Sequence, residues 1–563
     1  MSGPMTWDEA VAALTGAGGR FALVDAEVRG ARTRVFANAP PSLRALFALA
    51  RERAEQEFLV YEEERWTFGD LMQRVDEIGD VLIERYGVAP GDRVAIAMRN
   101  YPEWIAAFAA VTSVGAIAVC LNAWWTSDEL DYGLEDSGTR LLIADLERLE
   151  RARPVLAAGR LRALVVRSGD AALPEHAERL EDAISPGAGL PDVPIDPDDD
   201  ATILYTSGTT GHPKGAVSTH RAILNALLAF GCRAAVNQAM RPPAEPHPWP
   251  PSFILIVPLF HVTGLVPVLL SCVLGGFKLV MMYRWNPERA LELIERERVT
   301  NFVGVPTMSW DLLESLDFAR RDTSSLTNVG GGGAPAPPEL VARIDRSFRH
   351  GTPGMGYGMT ETNAYGPQNS GAALLARPRS AGRPVPVLAV KVIDERGEEL
   401  PRGEVGEICF RGATLIRGYW GKPEATAEAI VDGWLRSGDL GRMDEEGFVY
   451  VEDRVKDMVL RAGENVYSAE VEAAIYEHPS VHEAAVFGLP HQRLGEEVAA
   501  VVMTRRGATL SAQALDAYLR ERLAAFKVPT VIEFTSTQLP RNASGKILKR
   551  ALRDEFSARL GRD

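Results

Sequence analysis

The chain has 563 residues, 46% of them hydrophobic and 24% charged, the balance of a soluble globular protein with more than one domain. Its formal net charge of −15 excludes a general nucleic-acid-binding role, because no excess of cations would meet the phosphates. Cys120, Cys232, Cys272 and Cys409 lie far apart and form no C-x-x-C pair, which argues for buried reduced thiols in a cytoplasmic protein rather than a disulfide frame or zinc site.

Residues 1–60 read as an extension leading into a helix over residues 42–55, with no signal peptide. From Phe58 onward short apolar strands alternate with amphipathic helices. Residues 93–98 read as a strand, 103–114 as a helix, 116–121 and 141–144 as strands, which argues for α/β layers. The long apolar run over 104–121 is rich in small residues and reads as a buried helix entering a strand, not a membrane span. Residues 241–251 hold six prolines and must be irregular. A strand over 253–258 and a helix over 287–298 follow.

After Arg383 the texture changes. Strands over 385–393, 406–411 and 447–451, separated by glycines and charged turns, suggest a small β-rich subdomain. Beyond Asp453 come a helix over 469–478, strands over 483–487 and 497–502, a helix over 511–524 and a strand over 531–534. Leu515, Leu519 and Leu523 recur at four-residue spacing as one core stripe. The fold class is therefore α/β: a large multi-subdomain N-terminal domain, residues 1–453, and a small α+β C-terminal domain, residues 454–563.

The motif richest in chemistry is YTSGTTGHPKG at residues 205–215, directly after an apolar strand. Its glycines let backbone N–H groups approach an anion closely, Thr206, Ser207, Thr209 and Thr210 add hydroxyls, and Lys214 adds a cation: a phosphate cradle. It is not a Walker A loop, because Pro213 precedes the lysine and Gly215 follows it. Further on, Gly331-Gly332-Gly333-Ala334-Pro335 lets a flat ligand lie against backbone, although a plain loop before a helix reads equally well from these residues alone. In Gly356-Tyr357-Gly358-Met359-Thr360-Glu361, Tyr357 offers an aromatic face and Glu361 a hard oxygen suited to Mg²⁺. Asp439 follows Ser437-Gly438 and reads as a carboxylate in a glycine turn. His261 ends a buried strand in Pro258-Leu259-Phe260-His261, and Lys546 closes the run Arg541-Asn542-Ala543-Ser544-Gly545-Lys546.

Taken in order over residues 60–555, these motifs closely resemble the ANL adenylate-forming superfamily, in its acyl-CoA synthetase branch. The resemblance implies that ATP, Mg²⁺ and coenzyme A act on a small-molecule carboxylic acid, giving an acyl-AMP and then an acyl-CoA, with release of AMP and pyrophosphate. It assigns residues 206–211 (Thr206, Ser207, Gly208, Thr209, Thr210, Gly211) and Lys214 to the β- and γ-phosphates. Gly332, Gly333, Ala334, Pro335 and Tyr357 go to adenine, Gly356 and Gly358 to the cofactor site, and Thr360 to the α-phosphate. It further assigns Glu361 with Thr206 to Mg²⁺, Asp439 and Arg454 to the ribose, and His261 to substrate positioning. Lys546 becomes the catalytic lysine, Lys456 the hinge of a mobile C-terminal domain, Gly463 the pantetheine tunnel, and Arg284 a contact to the CoA nucleotide. Two departures stand out: Ala462 where the family often has glycine, and Ser468 where it often has proline. The expected acid is a medium- or long-chain fatty acid or an aryl or arylalkanoic acid. A carrier protein loaded in trans and a luciferase-like oxygenase are the alternatives. A homodimer is compatible with the sequence, and no transmembrane segment is expected.

Overall fold

Strands that are apolar along almost their whole length are buried on both faces, and here they form the middle of the first of two eight-stranded sheets. The computed structural model describes residues 5–206, 212–242, 245, 247–334, 336–462, 464–542 and 545–560. In the first sheet Asp200–Thr206, Ile117–Cys120, Arg93–Ala97, Leu141–Asp145, Arg162–Val166 and Ala177–Arg179 run parallel. Lys214–Thr219 and Gly418–Tyr419 extend it antiparallel. The helix Pro102–Ser113 starts on a proline, which suits the first helical position, and is buried all round, with Trp104 stacked on Phe108 at 5.3 Å between centroids. The expected helix-into-strand over 104–121 is thus what the chain forms.

The second sheet has the parallel strands Ser252–Leu255, Lys278–Met281, Asn301–Gly304, Asn328–Gly332 and Thr352–Gly356 at its centre. Its register matters for the site. Phe253, Asn301, Asn328 and Thr352 lie in one row across the sheet, and Val303, Gly330 and Gly354 in a row two residues further along. Gly332 and Gly356 share the row beyond that.

Asn100 fastens the two sheets together. It lies just past the first-sheet strand Arg93–Ala97, and its amide nitrogen donates to Val257 O at 3.1 Å and Met282 O at 3.4 Å. Its oxygen accepts the Leu259 N–H at 3.0 Å. Backbone groups that would be orphaned where second-sheet strands end are satisfied by one buried side chain.

Beyond residue 380 a six-stranded antiparallel sheet forms the β-rich subdomain, including Leu388–Ile393, Gly406–Gly412, Trp434–Met443 and Val449–Arg454. The turn at 455–457 leads to a five-stranded sheet carrying the long hairpin Val481–His491 and Gly495–Thr504, with helices Ser468–Tyr476, Ala512–Arg520 and Lys549–Leu560. The helix expected over 511–524 stops at Arg520 because Ala524 takes extended backbone, and Leu523 packs on the core from the turn.

The first 60 residues are more than an extension. Trp7–Thr15 is a helix with a Thr6–Glu9 capping box, and Leu23–Val28 pairs with Ala31–Phe36 as a hairpin. Arg29 and Gly30 both have positive φ, 52° and 75°, as a two-residue hairpin turn demands. Arg29 then donates to Ile416 O at 2.7 Å. All four cysteines are buried and free. Among the described residues no helix is long and apolar enough to cross a membrane.

Replacing Asn100 by Leu keeps the branched shape but strands two carbonyls and one N–H, each worth about 1–3 kcal/mol when buried unpaired. The urea midpoint of the N-terminal unit should fall accordingly; an unchanged midpoint would show that Asn100 does not fasten the sheets.

Candidate functional site

The carboxyl ends of both parallel sheets open on one cavity of about 2340 Å³. Thr206, Lys214, Gly332, Glu361, Asp439 and Lys546 all line it, although they come from three sheets and the C-terminal module. Gly333, Gly356, Gly358, Thr360, Arg454, Lys456 and His261 line it as well. Ser207, Gly208, Thr209, Thr210, Gly211, Pro335 and Gly463 lie outside the described residues. Ala334 and Tyr357 adjoin the cavity without lining it, and Arg284 is exposed on the loop after Lys278–Met281, away from it.

The strands Asp200–Thr206 and Lys214–Thr219, on either side of residues 207–211 in the chain, pair antiparallel. Thr206 is register partner to Lys214, and its hydroxyl donates to Lys214 O at 3.4 Å. The Lys214 ammonium stands over the Tyr419 ring, 5.1 Å from its centroid. Tyr419 in turn donates its hydroxyl to Glu361 Oε1 at 2.8 Å. Glu361 is only 7% exposed, and among the described residues it forms no ion pair. Burial raises its pKa, and the Tyr419 hydroxyl opposes that rise. A buried carboxyl without a cation is a place where an added cation would stabilise the ionised form.

Asp439 does not sit in a turn. It lies inside the strand Trp434–Met443, directly opposite Arg454, and the preceding Gly438 takes φ 71°. That left-handed residue accompanies an irregularity in the ladder, of the kind that re-aims a side chain. The buried Asp439 carboxylate accepts the Tyr357 hydroxyl at 2.6 Å and faces the Arg454 guanidinium at 3.3 Å. Burial pushes the Tyr357 hydroxyl well above its usual range, so it stays a donor. Asp439 is thereby oriented before any ligand arrives.

Lys546 reaches this pair from the far end of the sequence. Its loop folds back on itself, Lys546 N donating to Asn542 Oδ1 at 2.9 Å and Asn542 N to Lys546 O at 2.9 Å. Gly545 has φ 85°, and a side chain there would come within 3.0 Å of Val305, so only glycine lets the loop lie this close. The Lys546 ammonium makes no ion pair with a described residue. Burial first, and the neighbouring Arg454 second, lower its pKa to about 8, while Asp439 and Asp457 pull the other way.

The docking of the module is carried by further contacts. Glu314, at the end of the helix Pro306–Glu314, pairs with Arg505 and with His482, the latter at 3.3 Å. Arg505 also covers the Trp310 ring at 5.1 Å. Ser468, the departure from proline, has a structural task. Its N–H donates to Asp453, its hydroxyl donates to Asp453 Oδ1 at 3.0 Å, and Lys549 donates to that hydroxyl at 2.7 Å. Proline could make none of these bonds. Ala462 carries φ 53°, a left-handed backbone that glycine would adopt more easily.

His261 lies beyond the strand Ser252–Leu255, in the turn leading into the helix Gly264–Leu270. Its Nδ1 accepts the Thr263 N–H at 3.3 Å, and burial lowers its pKa to about 4. It is neutral at neutral pH. Tyr419 and Asp457 were not legible as site residues. Tyr419 reaches Glu361 only because Gly418–Tyr419 closes the edge of the first sheet, a pairing across some 200 residues with no local signal.

The model of the AMP-binding enzyme family matches residues 46–420, and that of the AMP-binding enzyme C-terminal domain matches residues 470–546. A feruloyl-CoA synthase from Amycolatopsis sp is 38% identical over 491 residues, 87% of this chain and 94% of that protein. A long-chain-fatty-acid–CoA ligase from Mycobacterium tuberculosis is 34% identical over 498 residues, 88% of this chain and 94% of that protein. Among solved structures, o-succinylbenzoate CoA synthetase from Bacillus subtilis, bound to its acyl-adenylate intermediate, superposes with a TM-score of 0.77 at 30% identity, covering 91% of this chain and 98% of that one. With both family models matched in order and the motif residues gathered in one cavity, the chain belongs to the AMP-binding enzymes, in their acyl-CoA synthetase branch.

Proposed function

We propose that the protein joins a carboxylic acid to coenzyme A in two half-reactions at the cavity just described. The observation that carries this reading is the buried Lys546 ammonium beside the Asp439–Arg454 pair, without an ion-pair partner among the described residues. The substrate carboxylate oxygen attacks the α-phosphate of ATP, the bond to the β-phosphate breaks, and pyrophosphate leaves. Negative charge builds on the phosphoryl oxygens, and Lys546 is the cation that meets it in a site screened from water. Asp439 accepts the two ribose hydroxyls, and the Thr206–Lys214 strands hold the leaving pyrophosphate. Glu361, with the Thr206 hydroxyl, would hold Mg²⁺, which would offset phosphate charge when bound with the nucleotide. His261, neutral, positions the acid and moves no proton.

In the second half-reaction the CoA thiolate attacks the acyl carbonyl and AMP leaves with the bonding electron pair. The C-terminal module turns about Lys456 to withdraw Lys546 and admit the thiol. The acid is aliphatic or aryl, as relatives named for both kinds would allow.

Incubation with ATP, Mg²⁺, CoA and a panel of carboxylic acids should give AMP, pyrophosphate and a thioester; no thioester from any acid would overturn the reading. Because the Lys546 pKa is lowered to about 8, its proton is lost as pH rises through that value. The kcat/KM for adenylate formation in the free enzyme should therefore fall above about pH 8 with a one-proton limb. A flat profile from pH 7 to 10 would show that the Lys546 charge is not used. Replacing Glu361 by Gln keeps the Tyr419 hydrogen bond but removes the charge. The Mg²⁺ concentration for half-maximal rate should rise about tenfold or more, the scale of a lost charged ligand.

A further inference from the structure

The floor of the cavity is unusual for a groove that would hold only a flexible chain. Gly330 and Gly354 are register partners on adjacent strands, and neither has positive φ, so no backbone strain calls for glycine there. A methyl added at Gly330 would meet nothing closer than the Asn328 side chain at 3.4 Å, and one at Gly354 would meet Asn328 Oδ1 at 3.2 Å. What the two glycines provide is a flat patch of bare peptide, two strands wide, inside the cavity. Leu227, Gly231 and Ala234 of the helix His220–Met240 line the same cavity. A planar ring fits such a surface better than an alkyl chain, because it can contact peptide across its whole face.

The next row away from the nucleotide sets Asn301, Asn328 and Thr352 beside Phe253. Of three asparagines at that end, Asn301 donates to Thr300 Oγ1 at 2.9 Å and Asn237 donates to Ser370 Oγ at 3.0 Å. The Asn328 amide has no hydrogen bond to any described residue, lines the cavity, and lies over the edge of the glycine patch. A half-buried amide offers both a donor and an acceptor to whatever ends there.

The reacting end is marked independently. Gly545, next to Lys546, touches Val305, which follows Gly304; Gly304 pairs with Gly331. The reaction centre therefore stands level with Gly332, four residues along the strand from Asn328, or about 13 Å at roughly 3.3 Å per residue. An acid with its ring directly on the carboxyl would hold that ring beside Gly332, short of Gly330, and leave Asn328 unreached. A long alkyl chain would have to pass Asn328 and leave it unpaired.

We infer that the cavity selects a planar arylalkenoic acid with a hydroxyl or methoxyl group at its far edge, the ring lying on Gly330 and Gly354 and the edge group bonded to the Asn328 amide. This inference rests on the ligase reading and names its substrate class. Asn328 is a specificity-determining residue, remote from the reacting atoms.

The test compares 4-hydroxycinnamate, cinnamate and decanoate as substrates of the full-length native protein, Asn328→Leu and Gly354→Ala, by kcat/KM for thioester formation. The native protein should prefer 4-hydroxycinnamate over cinnamate by about 10- to 100-fold, the scale of an unmet buried hydrogen bond. Asn328→Leu should erase that ratio while holding the cinnamate value within a few-fold, which also reports an intact fold. Gly354→Ala should lower both aryl values more than the decanoate value. Turnover of decanoate with neither cinnamate used, or an unchanged ratio in Asn328→Leu, overturns this inference and leaves the ligase reading standing. Absence of AMP from every acid removes the ligase reading. In that case, equal calorimetric affinity of the native and Asn328→Leu proteins for 4-hydroxycinnamate removes this one too.

Discussion

A buried ammonium with no ion-pair partner among the described residues is the feature that gives the rest of this structure its sense. Taking a lysine out of water disfavours its charged form, and the lowered pKa of Lys546 expresses that cost. Asp439 is the nearest anion of consequence, but it is already engaged by Tyr357 and Arg454. The cavity is thus left with a cation facing Arg454 and the phosphate cradle. An anion entering there, the nucleotide above all, would relieve the repulsion between the two cations and stabilise the charged form of Lys546.

Much of the architecture serves to bring that ammonium to its place. Asn100 joins the ends of two sheets so that their glycine-rich edges share one cavity. Gly545 against Val305 brings the lysine loop down onto the second sheet. Glu314 with Arg505 and His482, and Asp453 with Ser468 and Lys549, hold the C-terminal module over it. These contacts are polar, those of Glu314 partly exposed and those of Asp453 buried, rather than one large apolar face. That is the kind of interface that can be broken and remade without unfolding either partner.

The parts legible in the sequence were those with local causes. Proline at 102 and the apolar run behind it announced the buried helix, and glycine-hydroxyl runs marked segments whose described residues mostly line the cavity. The family resemblance supplied the order of the motifs, and the family models bear it out. What escaped was non-local or used a different local rule. The hairpin over residues 23–36 turns on Arg29-Gly30, a pair with little turn signal until both φ values are seen to be positive. Asp439 looked like a turn former because Gly438 precedes it, yet the glycine makes an irregularity inside a long strand. Tyr419 and Asn100 gain meaning only from partners far away in the chain, and Asn328 from having none among the described residues. Ser468 looked like a neutral departure from a family pattern until its bonds to Asp453 and Lys549 were in view.

The most direct test of the central claim separates the two half-reactions in a single-turnover experiment on Lys546→Ala. Acyl-adenylate formation from ATP and acid should slow by about 10³-fold or more, the scale on which cations act in phosphoryl transfer. Thioester formation from CoA and synthetic acyl-adenylate should stay within a few-fold of the native rate. Equal losses in both halves, or no loss in the first, would contradict the account.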